Sequence, residues 1–397
     1  MLLIQELVEN RRDNVGGFSL EEYRSRISKI VDYVNYKDLD GFLVFNPYNV
    51  FYLGLYYYPG KRPVVIFIHK TGKTYGFTPK MEYHEACKLK QLDRVYAYDD
   101  DYSSKADLYD FLQRNLKSLH SGINRVAVDE LDLNGYKRIS EIFSHVSIDD
   151  HIMNLRKIKS VEEIKMLKLS AFYSDYIVDK GREMLKPGVT ELGLLNRMIT
   201  ETVDKMILDL GEIIYVPGGP AGALVPSGIR TCMPHALPSG KKVEKGDTMI
   251  LSCGTNVWGY RTECERTFFV GEPDKQRIEA FEAMKKAQQY AIQLMKPGAI
   301  CQEVEKEVVR YITELGYGDY IKHRTGHGKG LEEHEPPYIA AGDETVMEPG
   351  MIFSSEPGIY IEGLSGFRHS DTVLITEDGC EVLTKFPKDL EYCTINI

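Results

Sequence analysis

Gly246-Asp247-Thr248-Met249-Ile250-Leu251-Ser252-Cys253-Gly254, followed by Gly259-Tyr260-Arg261-Thr262-Glu263-Cys264-Glu265-Arg266-Thr267-Phe268-Phe269-Val270, reads as two neighbouring strands. In a strand, Glu263 and Glu265 point to the same face. Taken alone, the pair reads as two solvated carboxylates. The flanking Tyr260 and Phe268-Phe269-Val270 argue instead for a buried strand, in which unpaired carboxylates are costly. Two more landmarks follow: the turn Thr325-Gly326-His327-Gly328-Lys329-Gly330 and the corner Ser355-Glu356-Pro357-Gly358. The turn is not a phosphate loop, because its lysine lacks the required spacing from the first glycine and no Ser or Thr follows it. The chain has no H-E-x-x-H helix to make a zincin, and neither Ser252 nor Ser370 lies in a G-x-S-x-G nucleophile elbow.

Outward from this stretch, a weak internal repeat frames it. Leu185-Lys186-Pro187-Gly188 recurs as Met295-Lys296-Pro297-Gly298, and each copy separates two helical patterns ahead of strand-like sequence. Proline ends the first helix and glycine permits the turn into the second. A shared tripeptide can arise by accident, but the matching context points to two duplicated halves. A duplicated domain naturally places one site on its pseudo-twofold axis. Ser160-Val161-Glu162-Glu163 is a capping box that opens a helix running to about Met184. The domain boundary therefore falls near Arg156, giving domains of 1–155 and 156–397.

The first domain alternates helix and strand. Ser19-Leu20-Glu21-Glu22 opens an amphipathic helix with a second capping box. Apolar runs follow at Gly41–Phe45, Val64–Ile68, Val95–Tyr98 and Val126–Val128, with helical segments at Met81–Leu89, Lys105–Leu116 and Gly135–Phe143. The expected fold is thus an α/β N-terminal domain followed by a duplicated α+β domain.

Composition narrows the partners. In 397 residues, 49 basic against 59 acidic give a net charge of -10, which disfavours nucleic acid or an anionic membrane. Seven scattered cysteines without a C-x-x-C pair read as free thiols in a reducing cytoplasm. Met1–Asn14 has no signal-peptide pattern, and no apolar run is long enough to span a bilayer. A soluble cytoplasmic protein acting on a small molecule is expected.

The two strands, the Gly-rich turn and the Glu-Pro-Gly corner together resemble the pita-bread peptidase family, which includes prolidase, aminopeptidase P, methionine aminopeptidase and the metal-free creatinase. The resemblance is specific from His235 to Asp371 and weaker before Arg156. In metal-dependent members, two aspartates, one histidine and two glutamates hold two ions; the matching residues here are Ser252, Glu263, His327, Glu356 and Ser370. Two hydroxyls cannot supply bridging carboxylates to a pair of divalent cations. The resemblance therefore implies a site without metal or other cofactor, most similar to that of creatinase. The implied function is a metal-independent hydrolase cleaving a carbon-nitrogen bond in a small guanidino, amidino or amide compound.

On that reading His235, in a Gly/Pro-rich loop after Met233-Pro234, is the proton-transferring group. Glu265 and Glu356 are catalytic-site carboxylates gripping a planar cation, and Glu263 is a further substrate-binding carboxylate. His327 and His334 polarise or orient the substrate, and Arg62, in Gly60-Lys61-Arg62-Pro63, is a carboxylate clamp reaching across a homodimer. Arg368 and Asp371 are expected to form a structural ion pair. Two alternatives stand beside this reading: an Xaa-Pro dipeptidase or aminopeptidase P-like metallopeptidase keeping one ion on Glu263, His327 and Glu356, and an inactive binding module.

Overall fold

In the computed structural model, which describes residues 18–54, 62–99, 108–119, 122–211 and 218–397, the chain forms two compact units, 1–156 and 157–397. The first is built on a mixed six-stranded sheet. Its strands are β1 (Gly41–Val44), β2 (Val65–His69), β3 (Thr74–Pro79), β4 (Arg94–Tyr98), β5 (Arg125–Val128) and β6 (His145–Ile148), in the order β4-β3-β2-β1-β5-β6. β2 runs antiparallel to both β1 and β3, whereas the β3–β4, β1–β5 and β5–β6 pairs are parallel. Leu43, Phe67, Phe77, Val126 and Ile139 are wholly buried in its core, each contributing roughly 1.5–3 kcal/mol by leaving water.

Ser19 caps the helix Leu20–Tyr36 by accepting from the Glu22 amide at 3.1 Å, while the Glu22 carboxylate accepts from Arg26 Nε at 2.9 Å. The segment expected as one helix over 81–89 is a 3-10 turn, Lys80–Glu82, and a single helical turn, Tyr83–Ala86. The helix expected from Lys105 begins within the described residues at Leu108, residues 105–107 lying outside them.

The second unit carries the duplication. Ser160 and Glu163 form the reciprocal capping box of the helix Val161–Met184, and Lys186-Pro187-Gly188 leads into Glu191–Leu210. In the second copy, Lys275–Leu294 and Cys301–Glu314 flank Lys296-Pro297-Gly298. The two glycines have φ of +90° and +84°, a region nearly closed to other residues. Their amides donate to equivalent carbonyls, Gly188 to Val243 at 2.8 Å and Gly298 to Met347 at 2.9 Å.

Each helix pair accompanies a sheet. In the first half β7 (Ala221–Leu224), β8 (Thr248–Val257) and β9 (Tyr260–Val270) form an antiparallel run, extended by the C-terminal strand Thr394–Ile395 on β9. The second half has β10 (Gly326–Gly328), β11 (Glu335–Ile339), β12 (Ile352–Ser355), β13 (Gly358–Ile361), β14 (Ser365–Arg368), β15 (Asp371–Ile375) and β16 (Cys380–Val382). Five of these form a sheet in the order β11-β10-β12-β15-β16, and β13 and β14 form a hairpin.

The two sheets meet at one point. Glu265 and Ser370 exchange backbone hydrogen bonds of 3.0 and 3.1 Å. Beside this seam the buried Arg266 donates to Asp371 Oδ1 at 2.8 Å, and Asp371 also accepts from Lys388 at 2.7 Å, Gln288 at 2.8 Å and Thr384 at 2.8 Å. The expected Arg368–Asp371 ion pair is therefore corrected. Asp371 is held by Arg266 and Lys388, while Arg368 binds Glu265. All seven cysteines are free thiols, and among the described residues no helix is long and apolar enough to cross a membrane.

Candidate metal and substrate site

β8 and β9 pair in a register that sets Ser252 opposite Glu265 and Gly254 opposite Glu263. By the pleat, these residues share the face turned to a cavity of about 310 Å³, which they line together with His235, His334, Glu356 and Arg368. His327 enters from β10. The turn around it is glycine-rich for a steric reason: a Cβ at Gly326 would lie 2.1 Å from the Ser354 carbonyl oxygen. The Glu356 amide donates to the Thr325 carbonyl at 2.8 Å, which fixes the corner beside that turn.

The two carboxylates of β9 are both engaged within the protein. Glu263 accepts from Lys329 Nζ at 2.9 Å on one oxygen and from Ser370 Oγ at 2.7 Å on the other. Glu265 accepts from Ser252 Oγ and from both Arg368 Nε and Nη2, the last at 3.0 Å. Arg368 continues to the Tyr360 hydroxyl at 3.0 Å, which contacts His323 Nε2 at 2.7 Å. Burial pushes the Glu265 carboxyl up to about 7 against the pull of Arg368, with the charges of Glu356 and Glu263 adding to the rise. A carboxylate so enclosed is poorly placed to grip a substrate cation.

Glu356 and His327 differ from that pair. His327 Nε2 lies 3.0 Å from Glu356 Oε1 and 3.7 Å from Glu263 Oε2, and Nδ1 faces the Gly328 carbonyl at 3.0 Å. Burial lowers the His327 pKa, but the charges of Glu263 and Glu356 outweigh it and the net shift is upward. Burial likewise opposes ionisation of Glu356, yet its hydrogen bond to His327 and the nearby charges of His327 and Arg368 hold it well below the usual carboxylate range. His334 packs edge-on to His327 at 4.0 Å between ring centroids; burial and the charges of His327 and Lys329 bring it down to about 4, so it is neutral at pH 7.

One donor atom each from Glu263, His327 and Glu356 lies within 4.8 Å of the others, the single group of potential ligands with this geometry among the described residues. His327 Nε2 is buried without a fitted hydrogen-bond donor or acceptor, as expected of a ligand atom. Two carboxylate oxygens and an imidazole suit a divalent ion such as manganese or zinc, with water completing the shell. A pair of ions does not fit: the Ser252 and Ser370 hydroxyls are donated to glutamates, and the Lys329 ammonium and Arg368 guanidinium already face the carboxylates.

The mouth is a second cavity of about 520 Å³ sharing His235, His334, Glu356 and Arg368 with the first and adding Lys322, His323 and Arg324. His235 is exposed there, on the loop after Met233-Pro234. Arg324 lies 4.9 Å over the Tyr338 ring, and its Nε is buried without a hydrogen-bond partner. Arg62 belongs to the first unit, where its guanidinium approaches Met81 Sδ at 3.3 Å.

His323, Tyr360, Arg324 and Lys329 were not singled out as site residues in the sequence. The run Lys322-His323-Arg324 reads as solvated charge, and a lysine among glycines reads the same way. Their positions depend on how the second half folds against the first.

Residues 165–377 match metallopeptidase family M24, and residues 26–158 match the creatinase/prolidase N-terminal domain. The Xaa-Pro dipeptidase of Pyrococcus furiosus is 32% identical over 371 residues, which cover 92% of this chain and 99% of that protein. Among solved structures, the Xaa-Pro dipeptidase from Bacillus anthracis superposes with a TM-score of 0.81 at 29% identity, covering 94% of this chain and all of that one. The X-Pro aminopeptidase from Thermotoga maritima gives a TM-score of 0.80 at 25% identity, covering 93% and 99%.

The fold and site thus define a pita-bread hydrolase of the creatinase, prolidase and aminopeptidase P class. The chain belongs to metallopeptidase family M24. The expectation of a metal-independent, creatinase-like hydrolase acting on a guanidino or amidino compound is overturned, because the relatives are metallopeptidases named for Xaa-Pro substrates. The physical source of the error is also visible: the loss of two carboxylates removes the place for two ions, but not for one.

Proposed function

We propose that the chain hydrolyses Xaa-Pro dipeptides with a single divalent ion held by Glu263, His327 and Glu356. The convergence of those three donor atoms at the cavity floor carries this reading. A bound ion supplies Lewis acidity and a nucleophile at neutral pH. The protein does the rest through placement. Glu356, held ionised, is an acceptor for a proton leaving the nucleophile, and neutral His334 offers a hydrogen bond without competing for the ion's charge. His235, exposed where both cavities open, moves a proton between solvent and the leaving nitrogen. Lys322, His323 and Arg324 make the mouth cationic, which suits the free carboxylate of a dipeptide and disfavours a longer chain lacking a charge at that point. Homodimerisation, implied by the resemblance, is part of this proposal; light scattering tests it.

The deciding experiment measures proline release from Xaa-Pro dipeptides after chelation and after adding back manganese, cobalt or zinc. Release that requires the ion, with about one equivalent bound by elemental analysis, is expected. Dipeptide binding without release at any metal concentration would overturn the proposal.

A further inference from the structure

Each carboxylate of β9 has the same pair of partners, one protein cation and one serine. Glu263 has Lys329 and Ser370; Glu265 has Arg368 and Ser252. Lys329 is fully buried, and its three ammonium protons have three acceptors: Glu263 Oε2 at 2.9 Å, the Glu333 carbonyl at 3.0 Å and Glu333 Oε1 at 3.3 Å. A buried ammonium so satisfied is a fixed element of the site, and nothing in the proposed chemistry uses it. It nevertheless shares an oxygen with the ion's ligand set. Carboxylate oxygens bind such ions at about 2.0–2.2 Å. An ion on Glu263 Oε2 would therefore lie within about 5 Å of the ammonium, which is 2.9 Å from the same atom. Two cations that close, in a water-poor pocket, repel strongly.

We infer that Lys329 is a resident counter-cation for Glu263, a protein ammonium standing where a two-ion centre would place a second ion, and that it limits this centre to at most one exchangeable ion, held weakly. The inference rests on the ligand set proposed above but not on the peptidase activity. It assigns this chain a division of labour: β9 carries internally neutralised carboxylates, and the ion depends mainly on His327 and Glu356.

The test is calorimetric titration of the chelator-treated full chain with manganese, alongside the variants Lys329→Met and Lys329→Gln. Glutamine retains one amide donor for Glu263, so it preserves the fold if methionine does not. The wild type should bind no more than one equivalent, and each folded variant should bind manganese at least about tenfold more tightly because Glu263 is released. Manganese should also raise the thermal unfolding midpoint of Lys329→Gln more than that of the wild type. Two equivalents on the wild type, or unchanged affinity in Lys329→Gln, would overturn the inference. A wild type that binds no manganese while Lys329→Gln binds one equivalent would sink the one-ion peptidase reading and leave this inference standing. A wild type that binds one ion and releases proline, with affinity unmoved by Lys329→Gln, would do the reverse.

Discussion

The two halves of the second unit carry the same frame with opposite chemistry at matched positions. Gly246 donates to the Val270 carbonyl at 2.7 Å, and Gly350 donates to Ile375 at 2.9 Å, so β8–β9 corresponds to β12–β15. Ser252 stands six residues after Gly246 (252 − 246), and Glu356 six after Gly350 (356 − 350). Glu265 and Ser370 each stand five residues before the end of that frame (270 − 265 and 375 − 370), and they bridge one another across the seam. Each half therefore supplies one hydroxyl and one carboxylate, in exchanged order. The first-half glutamate is enclosed by Arg368 and Ser252, whereas the second-half glutamate faces His327. Duplication fixed where side chains point; the later difference in partners decided which can meet a ligand.

The strongest way to break the comparison is to cut the seam. Asp371→Ala removes the carboxylate shared by Arg266 and Lys388 and leaves a buried guanidinium uncompensated. Breaking a buried pair from one side costs about 3–5 kcal/mol, and chemical denaturation should show a loss of that size. A loss below about 1 kcal/mol would mean that the halves are held elsewhere.

Next is the half assigned to the ion. His327→Ala removes one of three donor atoms, and because even outer-shell partners cost about 10–100-fold in metal affinity, the loss here should reach at least about a hundredfold. Glu265→Gln, across the pseudo-twofold, should move ion affinity far less, since its carboxylate is already taken by Arg368. Equal effects of the two substitutions on manganese binding would erase the proposed asymmetry.

How much of this was legible in the sequence depends on the range of the interaction. The Ser160–Glu163 box, the two Lys-Pro-Gly turns and the β8–β9 pair are local patterns, and each appears where the residues place it. Strand β3, Tyr75-Gly76-Phe77-Thr78-Pro79 after Thr74, was missed because its glycine and proline imitate a turn, although it pairs on both sides in the sheet. The Arg368–Asp371 expectation ignored a usable signal: residues three apart in extended chain point to opposite faces. Lys329 had no such signal, since only the approach of β9 to the Gly-rich turn buries it on Glu263. Nor did sequence show that Ser252 and Ser370 would serve glutamates rather than solvent.

A smaller effect sharpens the account of the mouth. If Arg324 receives the dipeptide's carboxylate, Arg324→Ala should raise KM roughly tenfold, near 1.4 kcal/mol, with kcat little changed. Its Nε has no hydrogen-bond partner to lose, so stability should be nearly unaffected. A fall in kcat with unchanged KM would place Arg324 nearer the reacting bond than the cavity suggests.

The smallest expected effect compares the duplicated helix starts themselves. Thr190 caps Glu191–Leu210, its hydroxyl accepting from the Gly193 amide at 3.0 Å. The equivalent residue before Cys301–Glu314 is Ile300, which has no side-chain acceptor, although the helix has Glu303 three residues on. Both residues form the same kind of isolated bridge, Thr190 to Lys242 and Ile300 to Val346, so the backbone already has the geometry a cap needs. Thr190→Ala should therefore destabilise by about 1 kcal/mol, and Ile300→Thr should stabilise by about 0.5–1 kcal/mol, retaining β-branching for the bridge while completing a capping box with Glu303. Ile300 is 37% exposed, so little apolar burial is lost in the exchange. Chemical denaturation of the two variants measures both signs. If Ile300→Thr destabilises instead, the isoleucine packs in a way its partial exposure conceals, and the helix starts of the two halves are not interchangeable.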